Sequence, residues 1–178
     1  MKEFQTNRIK LVAPNLKYLE DFYHYAQKPN IGPMAGWLPH SHLSLTKAVL
    51  EDMKKDKHTW FIIWQETDKM IGTIDLTPDY DSYVFKPTVY ELGYSIDDEF
   101  WGMGIAVEAC NLLLDYAFQE LKVKEVIAKH SEQNFRSKRV LEKLGFEFTS
   151  AGFDERYKQF TFRVWNYKMT KYHYDRRR

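Results

Sequence analysis

The stretch Tyr90–Ala109, YELGYSIDDEFWGMGIAVEA, decides how this chain is read. Its opening, with Val89 before it, mixes β-branched and aromatic residues through Ile96, the composition of a strand. An acidic corner follows, Asp97-Asp98-Glu99, and then a glycine pair in Trp101-Gly102-Met103-Gly104. Beyond Gly104 the apolar residues Ala106, Ala109, Cys110, Leu113, Ala117, Phe118 and Leu121 recur three and four apart, which predicts a helix. A strand, a glycine turn and a helix in succession gather backbone N–H groups and the positive end of a helix dipole at one point. A diphosphate suits that point, because glycines let its oxygens approach the backbone with no Cβ in the way.

A Gly-x-Gly turn alone is also an ordinary tight turn, so the rest of the chain has to decide. Two familiar phosphate loops are excluded by inspection. Val107 stands where the third glycine of G-x-G-x-x-G belongs, and no G-K-[ST] is present.

The bulk composition narrows the class. With 178 residues, 44% hydrophobic and 29% charged, the chain reads as one soluble globular domain with a core of its own. A formal net charge of +1 gives no electrostatic case for nucleic acid or an anionic membrane. The single cysteine, Cys110, excludes an internal disulfide and a Cys/His zinc cluster, and its place in the helical pattern reads as core. The opening MKEFQTNRIKLVAP has no signal-like apolar run and nothing approaches membrane-spanning length, so a cytoplasmic protein is expected. No metal is expected. Aromatic residues, at 16%, suit a pocket lined with rings.

Along the chain, Thr6–Ala13 reads as a first strand and Leu16–Gln27 as a helix capped by Asn15. Lys28–Leu43 carries Pro29, Gly32, Pro33, Gly36 and Pro39, which break regular structure, yet also Met34, Trp37, Leu38 and His40. It reads either as a binding loop or as a loop whose Trp37 plugs the core. Ser44–Lys55 is a second helix with Ser44 as its cap. His58–Gln65 and Met70–Thr77 form a hairpin, and a second irregular loop, Pro78–Pro87, holds Tyr80, Tyr83 and Phe85. After the central strand and helix come a strand at Lys124–Ser131, a helix at Asn134–Leu144 ended by Gly145, and two closing strands at Phe146–Phe153 and Gln159–Met169. The tail Lys171–Arg178 reads as a frayed, basic end outside a domain of residues 1–170. The order β-α-α-β-β-β-α-β-α-β-β gives about seven strands and four helices in an α/β (α+β) fold whose sheet is mixed and mostly antiparallel.

That order, with FWGMGIAVEA and the later NFRSKRVLEKLGFEF, resembles the GCN5-related N-acetyltransferase superfamily, from Thr6 to Met169. Within it the chain looks most like the bacterial branch that acetylates N-terminal amines of ribosomal proteins. The resemblance implies that the amides of Trp101, Gly102, Met103, Gly104, Ile105 and Ala106 hold the pyrophosphate of acetyl-CoA. Trp101 stands where the superfamily usually has Gln or Arg. Asn134 and Ser137, in the N-x-x-S register of the second segment, are implied as further cofactor residues, Asn134 either bonding the pantetheine arm or capping its helix. If the central strand and Lys124–Ser131 splay apart, the extended, amide-bearing pantetheine can pair with the edge at Tyr94, Ser95 and Ile96. Relatives of the branch are often dimers.

Acetyl transfer to an amine requires a neutral amine, a polarised thioester carbonyl and a proton for the departing thiolate. Glu91, two residues before Gly93, is where several superfamily members carry a catalytic glutamate; its alternative is an ion-pair partner. Asp75 on the neighbouring strand is a second candidate base. The tyrosine that many relatives use as acid falls at Leu141 here, so Ser137 is expected to support the thiolate instead. Backbone N–H near Tyr94 or Ser95 would polarise the carbonyl. The acceptor pocket is expected from the two irregular loops, with Trp37, His40, Tyr80 and Tyr83 as lining residues and Asp79 and Asp81 suiting a cation. The acceptor stays open at this point between a protein N-terminus and a small amine such as a polyamine or aminoglycoside, and a non-catalytic CoA-binding module is the remaining alternative.

Overall fold

The structure is a computed structural model that describes residues 1–79, 87–154 and 162–177. Its strands are β1 (Phe4–Gln5), β2 (Ile9–Val12), β3 (Thr59–Trp64), β4 (Lys69–Pro78), β5 (Val89–Ile96), β6 (Glu125–Ser131), β7 (Glu147–Asp154) and β8 (Phe162–Thr170). The helices are α1 (Leu19–Ala26), α2 (Gly32–Ala35), α3 (Leu43–Lys55), α4 (Ile105–Asp115), α5 (Phe135–Leu144) and α6 (Lys171–Arg176). The strands form one sheet in the order β1-β2-β3-β4-β5-β6-β8-β7. β5 and β6 run parallel, while β1–β2, β2–β3, β3–β4, β6–β8 and β7–β8 are antiparallel. The mixed α/β class read from the sequence holds, with one strand and two short helices more than the sequence count.

The additions have local causes. The expected first strand, Thr6–Ala13, shortens to β2, and the added strand β1 lies before Thr6. The Thr6 hydroxyl accepts from the amides of Arg8 and Ile9, both at 3.1 Å, and turns the chain between β1 and β2. α2 forms inside the proline-rich loop, with Pro33 at its start and Gly36 in the left-handed conformation (φ 86°) at its end. α3 begins one residue earlier than expected because His42, not Ser44, caps it: His42 Nδ1 accepts from the Leu45 amide at 3.1 Å. The Asn15 cap forms as read, accepting from Lys17 N at 3.0 Å.

The chain divides into two compact units, Met1–Asp75 with Tyr94–Ala109, and Leu76–Gly93 with Cys110–Arg178. The first is built on an aromatic core of Tyr18, Phe22, Tyr25, Ile31, Leu50, Phe61 and Ile63. Phe22 stacks on Tyr25 at 5.7 Å and meets Phe61 edge-on at 5.4 Å. Trp37 closes this core, edge-on to Tyr25 at 6.1 Å. A Cβ on Gly32 would lie 2.5 Å from the Trp37 ring, so the loop needs a glycine there to seat its tryptophan.

In the second unit, α4 runs into a π-turn over Tyr116–Leu121, ended by Lys122 in the left-handed conformation. The tail, expected to fray, is instead the helix α6, capped by the Thr170 hydroxyl at the His173 amide. Tyr174 is fully buried, stacked on Phe118 at 4.6 Å, and its hydroxyl donates to Asp115. Arg177 Nη1 donates to the Leu144 carbonyl at 3.1 Å. Tyr172 and Tyr174 stand two apart in a charged six-residue segment, which gives no helical periodicity, and so the sequence reads as solvated there.

Candidate active site

The glycine turn carries the site's clearest geometry. Gly102 and Gly104 both have φ +79°, a conformation that L side chains rarely adopt. A Cβ on Gly102 would meet nothing within 4 Å, and one on Gly104 would meet only Arg8 Nη2, at 4.0 Å. The space over the turn is therefore open. Ile105, nearly fully buried, starts α4 directly from Gly104, and the first amides of a helix have no acceptor within it. Trp101 folds back and donates its indole N–H to the Ile96 carbonyl at 2.8 Å, and the Asp97 amide donates to Ile71 O at 2.8 Å. These bonds fix the corner between β5 and the turn.

β5 supplies the second feature. Its parallel ladder with β6 joins Val89, Tyr90 and Glu91 to Glu125, Val126 and Ile127, and ends there although β5 continues to Ile96. Tyr94 is half-buried, while Ser95 and Ile96 are buried. The Ser95 hydroxyl is turned inward, 3.0 Å from Tyr25 Oη and 3.0 Å from Thr73 Oγ1, with Tyr25 Oη to Thr73 Oγ1 at 3.2 Å. Burial, eased by these two hydroxyls, pushes the Tyr25 phenol up to about 12, so it stays neutral. Any contribution of Ser95 to a ligand is consequently through its backbone. On the neighbouring strand a Cβ at Gly72 would sit 2.3 Å from the Ser95 carbonyl, so Gly72 permits a close approach that no other residue allows. Sequence reasoning passed over Tyr25 and Gly72; a glycine inside the apolar run MIGTIDL is the signal that marks such an approach.

The acidic corner before the turn is tied to the α1–α2 loop. Lys28 Nζ reaches Asp97 Oδ1 at 2.6 Å, Asp98 Oδ1 at 2.7 Å and Glu99 Oε1 at 3.1 Å, and Asn30 Nδ2 donates to Asp98 at 2.7 Å. Burial works against the Lys28 ammonium, but the three carboxylates outweigh it and hold its pKa above the usual lysine value. Burial raises Asp97 despite Lys28, whereas Lys28 and Asn30 hold Asp98 far below the usual carboxylate range. Glu99 is lowered by His24, 3.1 Å away, and then by Lys28. A cleft of about 390 Å³ beside this corner is lined by Glu20, Asp21, His24, Lys69, Asp97 and Glu99 among others.

The remaining candidates fall as follows. Glu91 Oε1 lies 3.4 Å from Lys129 Nζ, with both side chains about a quarter exposed, so Glu91 is an ion-pair partner whatever else it does. Asn134 caps α5, its Oδ1 accepting from the Ser137 amide at 3.0 Å, and Ser137 sits half-buried in the first turn. His40 belongs to the core: 8% exposed, 2.8 Å from Thr46 Oγ1, and lowered by burial, so its imidazole is neutral. Trp37 packs against it at 5.5 Å. Asp75 is half-buried on β4, opposite Thr59. Tyr80, Tyr83, Asp81 and Phe85 lie outside the described residues.

A sheet whose central strand ends in a glycine turn opening a helix is the plan of an acyl-CoA-binding acetyltransferase fold. Residues 8–147 match the acetyltransferase (GNAT) domain family, and the chain belongs to it. It is 38% identical over 97 residues to the probable N-acetyltransferase YjcK of Bacillus subtilis (strain 168), a match covering 54% of this chain and 52% of that protein. The chain thus spans about half the length of that relative. The microcin C7 self-immunity acetyltransferase MccE, solved with acetyl-CoA and AMP, superimposes with a TM-score of 0.78 at 21% identity, over 93% of each chain. The ribosomal-protein-S5-alanine acetyltransferase of Vibrio fischeri superimposes with a TM-score of 0.72 at 18% identity, over 96% of this chain and 97% of that one. At these identities the likeness to the solved structures is one of fold. Among the described residues no helix is long and apolar enough to cross a membrane.

Proposed function

We propose that the chain is an acetyl-CoA-dependent N-acetyltransferase, a single catalytic domain that takes in α6 and acts in the cytoplasm, with a protein N-terminal amine as acceptor. The observation that carries this reading is the pair of positive-φ glycines, Gly102 and Gly104, opening α4 beneath unfilled space. The diphosphate of acetyl-CoA would accept from the amides of Gly102 through Ala106. The pantetheine arm would pair with β5 at Tyr94, Ser95 and Ile96, past the point where the ladder to β6 ends. A backbone N–H near Tyr94 or Ser95 would polarise the thioester carbonyl.

An alkyl ammonium is unreactive, so one proton must leave before attack. We assign that proton to Glu91, directly or through water, with the Lys129 ion pair orienting the carboxylate; Asp75 is the alternative acceptor. The neutral amine then attacks the carbonyl carbon, the C–S bond breaks, and the nitrogen loses its second proton as the thiolate becomes a thiol. Ser137 would donate a hydrogen bond to that sulfur. Support for a protein acceptor comes from the branch the chain resembles and from the fold shared with the Vibrio fischeri enzyme.

The test is thiol release from acetyl-CoA over a panel of peptides with varied N-terminal residues, polyamines and aminoglycosides. Release with peptides is expected. Release confined to small amines would replace the acceptor, and acetyl-CoA binding with no release on any amine would leave a CoA-binding module. Calorimetry showing no binding at millimolar acetyl-CoA would remove the reading altogether.

A further inference from the structure

The turn sequence Trp101–Ala106, WGMGIA, holds no cation, and its indole N–H is already bonded to Ile96 O. A diphosphate there meets the backbone amides and the helix dipole, the latter equivalent to roughly half a positive charge. Against that stands Glu108, in the first turn of the same helix, whose carboxylate would repel the anion if left alone. It is not left alone. The Thr6 hydroxyl donates to Glu108 Oε1, while Arg8 Nε donates to Oε2 at 2.8 Å and Arg8 Nη2 donates to the same oxygen. The third nitrogen, Arg8 Nη1, donates to the Met103 carbonyl, inside the glycine turn, at 3.1 Å.

Arg8 is thus pinned from two sides, by the helix's first turn and by the turn's own backbone. Those bonds use three of the five guanidinium N–H groups. Nη2 stands 4.0 Å from the position a Gly104 Cβ would take, beside the open space over the turn. An oxygen lodged there needs a shift of only about 1 Å to reach the distance of a charged hydrogen bond.

We propose that Arg8 is a cofactor-binding residue: its guanidinium, fixed by Glu108 and Met103, donates a remaining N–H to the diphosphate lying over Gly104. Glu108 then serves the site by fixing the guanidinium's plane, and Arg8 in turn cancels its charge. This inference rests on the acetyl-CoA reading of the glycine turn.

The experiment is calorimetric titration of acetyl-CoA and of acetylpantetheine, which lacks the nucleotide diphosphate, into wild type, Arg8→Met and Arg8→Lys. Arg8→Met should weaken acetyl-CoA by about ten- to a hundredfold and leave acetylpantetheine unchanged. Arg8→Lys keeps a charge but loses the fork, and should fall between. Wild-type affinity of Arg8→Met for acetyl-CoA, or an equal loss of both ligands, overturns the proposal, the second result marking Arg8 as a brace of the fold alone. Should Arg8→Met not fold, Arg8→Lys decides: a loss of about threefold or more confined to acetyl-CoA supports the contact, and wild-type affinity refutes it. Wild type that binds no acetyl-CoA shows a different failure, that of the turn itself.

Discussion

Lys28 Nζ lies 2.6 Å from Asp97 Oδ1, an ion pair between a side chain 18% exposed and one 6% exposed, 69 residues apart in sequence. The pair ties the loop before α2 to the corner that leads into the glycine turn. Removing the ammonium leaves Asp97 buried beside Asp98 and Glu99, so Lys28→Met should destabilise by roughly 3 kcal/mol. The pH dependence has a definite sign. Asp98 and Glu99 are held low, so their contribution is present above the ordinary carboxylate range and is lost as the pH falls through their lowered values. Asp97, held high, runs the other way. Lys28, held high, contributes at every pH below the usual lysine value. Melting temperatures of wild type and Lys28→Met should therefore differ most near neutrality and converge as the pH falls below about 4. A constant gap down to pH 2 would show that the ion pair is not the source.

At Gly104 the argument concerns a single Cβ. The apo turn has room for one, with Arg8 Nη2 at 4.0 Å, but φ +79° strains any L residue and a ligand oxygen needs the same space. In Gly104→Glu the new carboxylate would bond Arg8 and fill the anion site with its own charge. Losing two charged hydrogen bonds to the diphosphate, at roughly 1.5–3 kcal/mol each, weakens acetyl-CoA by on the order of a hundredfold or more. Circular dichroism should stay that of the wild type, and pantetheine should bind both proteins about equally and weakly. Unchanged acetyl-CoA affinity would place the diphosphate elsewhere.

What the sequence made legible was local. Gly102 and Gly104, the three-and-four spacing from Ala106 to Leu121, the Asn134 cap and the Gly145 stop (φ +79°) all signal within a few residues of where they act. The contacts that finish the corner do not. Arg8 meets Met103 across 95 residues and Lys28 meets Asp97 across 69, and nothing in TNRIK or QKPN announces either. His40 looked like a pocket residue because it sits among prolines and aromatics. Burial against Phe22 and a bond to Thr46 make it part of the core instead. The choice between Ser44 and His42 as a cap is a two-residue ambiguity between neighbouring acceptors, which sequence alone does not resolve.

For Glu91 the proposed role is kinetic, so its test is the shape of a pH profile. If Glu91 takes the proton of the ammonium, Glu91→Gln should cost about a hundredfold in turnover near pH 7, where most of the amine is protonated. The deficit should shrink toward pH 9 as free amine accumulates without help. The dissociation constant for acetyl-CoA should hold. Turnover equal to wild type from pH 6 to 9 would leave Glu91 as the partner of Lys129 alone and move the base to Asp75 or to water.

Tyr174 makes the C-terminal helix part of the domain. Its ring is fully buried, 4.6 Å from Phe118, its hydroxyl donates to Asp115 and accepts from Gln119 Nε2 at 3.4 Å, and the Arg177 guanidinium lies 5.2 Å over the ring. Deleting a buried aromatic side chain costs about 3–5 kcal/mol, so Tyr174→Ala should lower the melting temperature by roughly 10 °C in a protein of this size. Tyr174→Phe keeps the stacked ring and removes the hydroxyl's bonds to Asp115 and Gln119, and should cost about 1–2 kcal/mol. Acetyl-CoA affinity measured well below the melting temperature should be the same in all three proteins, since neither Phe118 nor Asp115 belongs to the proposed cofactor site. Truncation after Thr170 should reproduce the alanine variant's loss or exceed it. A truncated chain that melts with the full-length protein would mean that α6 packs without contributing, and the tail would then belong outside the folded unit, as its charged sequence first suggests.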